Sequence, residues 1–188
     1  MIKLQGNGIF LSKLEIEHYI KLLEDSNCNI IIRAKPKNFD YLLEITDEYP
    51  EQEDNNKKKF NNKFGIFLNN GIIIGDIVLQ EIDLDKKTCS IGMGLGKHEY
   101  RDEKYAKEAI ALIVKYGFDN YDIKQITASA IEIFPFAHKS LRKNGFRNMG
   151  IERKAAVFCG GKWSKYNYRL LVDEYRKNNS NIQNSKFN

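Results

Sequence analysis

Residues 63–95 leave little freedom in how they can fold. The run KFGIFL is followed by Asn69, Asn70 and Gly71, then by IIIGDIVLQEID, a polar break LDKKT, and CSIGMGL. β-Branched and aromatic residues fill these runs, and Asn70-Gly71 supplies the adjacent positive-φ positions that a tight hairpin turn requires. The pattern predicts three antiparallel strands in a meander, around which the rest of the chain must be arranged. Gly92, Gly94 and Gly96, in or just after the third strand, predict a bulge or a place where another group approaches the backbone.

The period then changes. From Asp102 to Phe118, the residues Tyr105, Ala106, Ala109, Ile110, Ile113 and Val114 share one face while Lys107, Glu108 and Lys115 lie off it, which predicts an amphipathic helix. Asp102 and Glu103 fall in its first turn, where acidic side chains complement the helix dipole. The junction YRDEKYA therefore joins a strand to a helix N-terminus, whose unpaired N–H groups attract anions. Farther on, IKQITASAIEI predicts a strand and Pro135 to Lys143 a helix ending at Asn144-Gly145. FRNMGIERKAAVF, the turn CGGK and WSKYNYRLLV predict a closing hairpin.

Before the meander, Ile9 to Leu11 predict a short strand, and Ile16, Tyr19, Ile20 and Leu23 repeat at helical spacing. CNIIIRAK reads as a strand, Phe39 to Ile45 as a helix, and DEYPEQEDNNKKKFNNK, with its acidic block giving way to a basic one, as a loop. A single domain is expected over residues 1–172. Beyond it, residues 173–188 lose apolar periodicity and are expected to form a flexible polar tail. The order of elements predicts an α+β fold with one mixed, mostly antiparallel sheet flanked by helices.

Composition narrows the function classes. A chain of 188 residues can bury a substantial core as one domain. Its 30 basic and 25 acidic residues are interleaved rather than gathered into a stripe, which argues against nucleic acid as a partner. Cys28, Cys89 and Cys159 form neither a CxxC pair nor a zinc-like spacing, so no metal site is expected and a reducing cytoplasm is. No run approaches the ~20 apolar residues of a membrane span, and the N-terminus lacks the features of a signal peptide, so no membrane partner is expected.

Four segments together resemble the GNAT superfamily of acetyl-CoA-dependent N-acetyltransferases: IIGDIVLQEID, IGMGLGKHEYRDEKYAKEAIALIVKYGFD, AHKSLRKNGFRNMGIERKA and GGKWSKYNYRLL. The resemblance runs from about Gly65 to Val172, and the last two segments look most like the branch of ribosomal-protein and spermidine acetyltransferases. It implies that acetyl-CoA is the cosubstrate. The third meander strand and IKQITASAIEI would lie parallel and splay apart, with the cofactor's pantetheine arm along the backbone of Gly94, Leu95, Gly96 and Lys97. The superfamily's pyrophosphate loop falls on Arg101, Asp102, Glu103, Lys104, Tyr105 and Ala106; Arg101 and Ala106 match its pattern, while Lys104 stands where the first glycine is usual.

Direct acetyl transfer needs a neutral amine, an N–H donor on the thioester carbonyl and a proton for the departing thiolate. The donor would be a strand N–H near Leu95. Related acetyltransferases often place a carboxylate where Glu132 ends the central strand; Glu81, on the meander, is the second candidate base. The frequent tyrosine proton donor is replaced by Leu141 and the frequent asparagine by Phe134. Ser140 and His138 are expected to point away from the direction of residue 141. Phe134 and Phe136 would flank the acetyl site. The resemblance implies transfer to a primary amine of a protein N-terminus, a polyamine or another small amine. The departures at Lys104, Leu141 and Phe134 leave a second reading open, a non-catalytic domain that binds CoA or a protein partner. Exposed strands and aromatics in the closing hairpin leave room for a homodimer.

Overall fold

A computed structural model describes residues 2–25, 60–158 and 160–184. The strands are β1 (Lys3–Gln5), β2 (Ile9–Ser12), β3 (Phe60–Leu68), β4 (Ile73–Asp83), β5 (Thr88–Leu95), β6 (Gln125–Ile131), β7 (Arg147–Phe158) and β8 (Gly161–Leu171). The helices are α1 (Ile16–Asp25), α2 (Glu103–Asn120), α3 (Pro135–Lys143) and α4 (Val172–Asn184), with one 3-10 turn at His98–Tyr100. The expected strand in CNIIIRAK, the expected helix at residues 39–45, most of the expected loop, Cys28 and Cys159 lie outside the described residues.

All eight strands form one sheet in the order β1-β2-β3-β4-β5-β6-β8-β7. β5 and β6 pair in parallel, and the other neighbours are antiparallel. The meander is β3, β4 and β5, and Gly71 takes the positive φ of 86° that its turn needs. Strand alternation sends Ile66, Ile77, Leu79, Ile126 and Leu170 to one face, where Ala109, Ile110 and Ile113 of α2 cover them. Each such fully buried aliphatic chain contributes about 1.5–3 kcal/mol relative to exposure. Phe67 and Ile73 point the other way and pack with Leu14 and Tyr19 at α1.

Two expectations need correction, and a third resolves to one of its two alternatives. β3 begins at Phe60, inside the expected loop, because a polar residue can still join a ladder: Asn62 pairs with Leu79 and its side chain donates to Tyr121 Oη at 2.6 Å. The residues after Val172 are helical as far as Asn184 rather than a frayed tail, since Tyr175 packs on Phe118 and Glu174 pairs with Arg147. No register shift occurs at Gly92 or Gly94; the meander's bulge between β4 and β5 lies between Gln80 and Asp83, where Glu81 has a φ of 54°. The expected alternative, close approach to the backbone, is met at Gly94. A Cβ on Gly75 would lie 2.2 Å from Gly94 O, and one on Gly94 would lie 3.1 Å from Asp76 Oδ1.

Candidate active site

The parallel pairing of β5 with β6 runs from Thr88/Gln125 to Ile91/Ala128 and stops. β5 continues to Leu95 against β4, and β6 continues to Ile131 against β8, so a gap opens between their C-terminal ends. Gly96 N–H donates to Ile74 O at 2.9 Å, which sets the parity of the β4–β5 ladder. In an antiparallel pair alternate residues spend their N–H and C=O groups on one neighbour. Gly94 and Gly96 therefore bond toward β4, while Met93 and Leu95 direct theirs into the gap. Within the expected stretch Gly94–Lys97, Leu95 is the strand residue so aimed. Met93 was missed, although counting alternation back from Leu95 would find it.

Beside the gap lies the start of α2. Arg101 Nε donates to Gly96 O at 3.2 Å and, more weakly, to Leu95 O at 3.4 Å, which pins the guanidinium against the end of β5. Asp102 is the N-cap, its carboxylate accepting from Lys104 N–H at 2.7 Å. Glu103 pairs with Lys143, and Ser140 Oγ donates to Glu103 O at 3.2 Å, so α3 holds the first turn of α2 in place. Lys104 is exposed, with Nζ 5.2 Å from the Tyr105 ring centre. Ala106 is fully buried, its N–H bonded to Asp102 O at 3.2 Å.

The two candidate bases are not brought together. Glu132 is exposed at the splayed end of β6, its N–H donating to Ser164 O at 3.0 Å. Glu81 sits on the β4 bulge and accepts from Ser90 Oγ at 2.9 Å, and Ser90 pairs with Thr127 in the closed part of β5–β6. Near Glu132 the Phe134 ring lies tilted at 5.8 Å from Phe136 and edge-on at 5.0 Å to Phe158, giving the splayed end an apolar rim.

On α3, Leu141 is buried in the core. His138 does not point away from it: the two lie one helical turn apart and are both buried. His138 Nε2 faces Ile131 O at 3.0 Å and Nδ1 faces Tyr168 Oη at 2.8 Å. A carbonyl can only accept, so Nε2–H donates to Ile131 O, and Nδ1 shares the second bond with the Tyr168 hydroxyl. Burial holds the Tyr168 phenol above its ordinary pKa, with Arg142 beside it pulling partly back.

Sequence reading also passed over Asp76, which pairs with Lys63 at 3.3 Å beside Gly94. Burial raises the Asp76 carboxyl despite the nearby lysine. For Lys63, burial opposes the charge, but Asp76 and Tyr19 outweigh it and hold the ammonium pKa up. Burial pushes the Cys89 thiol up to about 12, which leaves it inert as a nucleophile. Among the described residues no group of three or more His, Cys, Asp or Glu is placed to hold a metal.

The sequence profile of the acetyltransferase (GNAT) domain family matches residues 9–147. The chain is 28% identical over 123 residues to the uncharacterized N-acetyltransferase YnaD of Bacillus subtilis (strain 168), covering 64% of this chain and 71% of that protein. The fold is similar to the spermidine N-acetyltransferase of Vibrio cholerae solved in complex with CoA and spermine, with a TM-score of 0.70, 19% identity and coverage of 90% and 99% of the two chains. A GNAT-family acetyltransferase of Bacillus anthracis superposes with a TM-score of 0.65 at 20% identity, covering 92% and 99%.

Proposed function

The chain belongs to the GNAT family of acetyl-CoA-dependent acetyltransferases, and from that premise we propose that it transfers the acetyl group directly to a primary amine of a protein N-terminus, a polyamine or another small amine. The observation that carries this reading is the gap beyond Ile91/Ala128, lined by Met93 and Leu95 backbone groups and adjoining the N-terminus of α2. Acetyl-CoA brings a thioester. A neutral amine forms the amide bond as the C–S bond breaks, and one proton passes overall from the amine to the thiol.

The residues have separate tasks. Met93 and Leu95 offer N–H donors to an extended amide-bearing arm and to the thioester carbonyl, as a neighbouring strand's carbonyls would use them. Arg101 and the unpaired first-turn N–H groups of α2 attract the pyrophosphate. Glu132, exposed at the splayed end, takes a proton from the amine directly or through water. The chain works in the cytoplasm; no described helix is long and apolar enough to cross a membrane. β7, an end strand with Met149, Ile151 and Val157 exposed, supports a homodimer.

Calorimetric titration with acetyl-CoA, followed by thiol release with amine acceptors, tests the reading. Saturable 1:1 binding of about −7 to −8 kcal/mol, roughly micromolar, is expected. Glu132→Gln should slow thiol release and shift its pH profile without weakening acetyl-CoA. Absence of both heat and thermal stabilisation would overturn the assignment.

A further inference from the structure

On the sheet face away from α2 and α3, a groove of about 430 Å³ runs over β6, β8 and β7. Its polar lining includes Gln125, Thr127 and Ser129 of β6, Asn167 and Arg169 of β8, and Glu152 of β7. Alternation accounts for this face: Ile126, Ala128 and Ala130 turn inward, as do Tyr168 and Leu170, so their polar neighbours turn outward. Ser129 is the first β6 residue beyond the pairing with β5, so one end of the groove meets the inner end of the gap.

The groove's charges are unequally matched. Glu152 accepts from Asn167 Nδ2 at 2.5 Å and pairs with Lys165 at 3.1 Å; these two partners hold its carboxyl below the usual range. Ser129 Oγ donates to Asn167 Oδ1 at 2.9 Å, extending the same chain of bonds to the mouth of the gap. Arg147, directly opposite Arg169, is engaged by Glu174 Oε1 at 3.0 Å. Arg169 Nε is buried with no hydrogen-bond partner, as is the second carboxylate oxygen of Glu174, and no ion pair joins Arg169 to a carboxylate among the described residues. A partly buried guanidinium without a counter-charge favours an anionic ligand group. A polycation would meet Lys165 and Arg169 with the groove's Glu152 already taken.

We propose that the amine acceptor also carries a carboxylate, which Arg169 binds while the amine reaches the gap beside Ser129. This rests on the acetyl-transfer reading and narrows it. Arg169 is opposite Thr127 and Asn167 is opposite Ser129, a separation of two strand residues, or about 7 Å. An ω-amino carboxylate with about four or five methylenes, or a compound with one peptide unit between the two groups, spans that distance.

The test compares 5-aminopentanoate with 1,5-diaminopentane, which match in length and differ in charge at one end. Binding is followed by NMR titration of the protein and turnover by thiol release from acetyl-CoA. The wild type should take the amino carboxylate at least tenfold better than the diamine. Arg169→Gln should erase that preference with acetyl-CoA affinity unchanged, and Arg169→Lys should restore part of it. Since Arg169 Nε has no partner to lose, Arg169→Gln should melt like the wild type. Equal or better binding of the diamine, or a preference that survives in Arg169→Gln, overturns the proposal. If 5-aminopentanoate binds in an Arg169-dependent way but acetyl-CoA does not bind, the groove stands and the transfer reading falls.

Discussion

The carboxylate of Asp102 accepts the N–H of Lys104 at 2.7 Å, so the helix end nearest the gap already holds an anion of its own. A phosphate arriving there competes with that carboxylate for the N–H and is repelled by its charge. Asp102→Asn keeps a capping oxygen and removes the charge, so acetyl-CoA should bind several-fold more tightly, most clearly at low salt. Asp102→Ala should cost about 1 kcal/mol of stability as the cap is lost. Calorimetry combined with urea unfolding separates the two effects; unchanged affinity in Asp102→Asn would mean that the phosphates bind elsewhere.

Leu95 provides a sharper test of the gap. Its N–H points away from β4, so a proline at 95 removes a donor without breaking a β4–β5 bond. Leu95→Pro is expected to keep the wild-type far-ultraviolet circular dichroism and to lose at least tenfold in acetyl-CoA affinity. Collapse of the sheet signal would show that the ladder parity is wrong.

His138 links α3, the end of β6 and β8 through one ring. Replacing it with phenylalanine preserves bulk but removes one partner from the Ile131 carbonyl, which keeps Phe134 N–H, and one from the buried Tyr168 hydroxyl, which keeps Arg142 beside it, at a cost of about 0.5–1.5 kcal/mol per bond. Denaturant midpoints should fall accordingly. A midpoint equal to the wild type would mean that Phe134 N–H and Arg142 satisfy the two groups without the imidazole.

The Cys89 thiol fixes the sign of an alkaline effect. Its unfolded pKa is near 9.0 and its folded value is raised to about 12. Between these limits the unfolded chain loses a proton that the folded chain keeps, so stability is complete below pH 9 and declines as pH rises toward 12. In a Cys28→Ser/Cys159→Ser background, a thiol reagent at pH 8 should react only after denaturant is added. Adding Cys89→Ala should flatten the alkaline decline. Rapid labelling of the folded protein would contradict the burial of this side chain.

Much of the architecture was legible because it is written locally. The turn at Asn70-Gly71, the stripe from Ala106 to Val114, and Pro135 followed by Asn144-Gly145 each declare an element within a few residues. What stayed hidden depends on partners far along the chain. α4 is polar in composition and is secured by Phe118 and Arg147; Phe60 to Lys63 join a strand through β4; the bulge at Glu81 follows from how β4 meets β5. The candidate site divides in the same way. Arg101 and Glu132 are visible as residue types at the ends of elements, whereas Met93 depends on ladder parity and the Arg169 groove on alternation across separate strands.

The early end of the β5–β6 pairing also gives the protein an interior sheet edge. Exposed edges invite strands from other chains and the aggregation that follows. Here the outward N–H groups of Met93 and Leu95 lie between two strands of the same sheet rather than on its rim. Hydrogen exchange at these two amides becomes a direct gauge of whether the gap is filled.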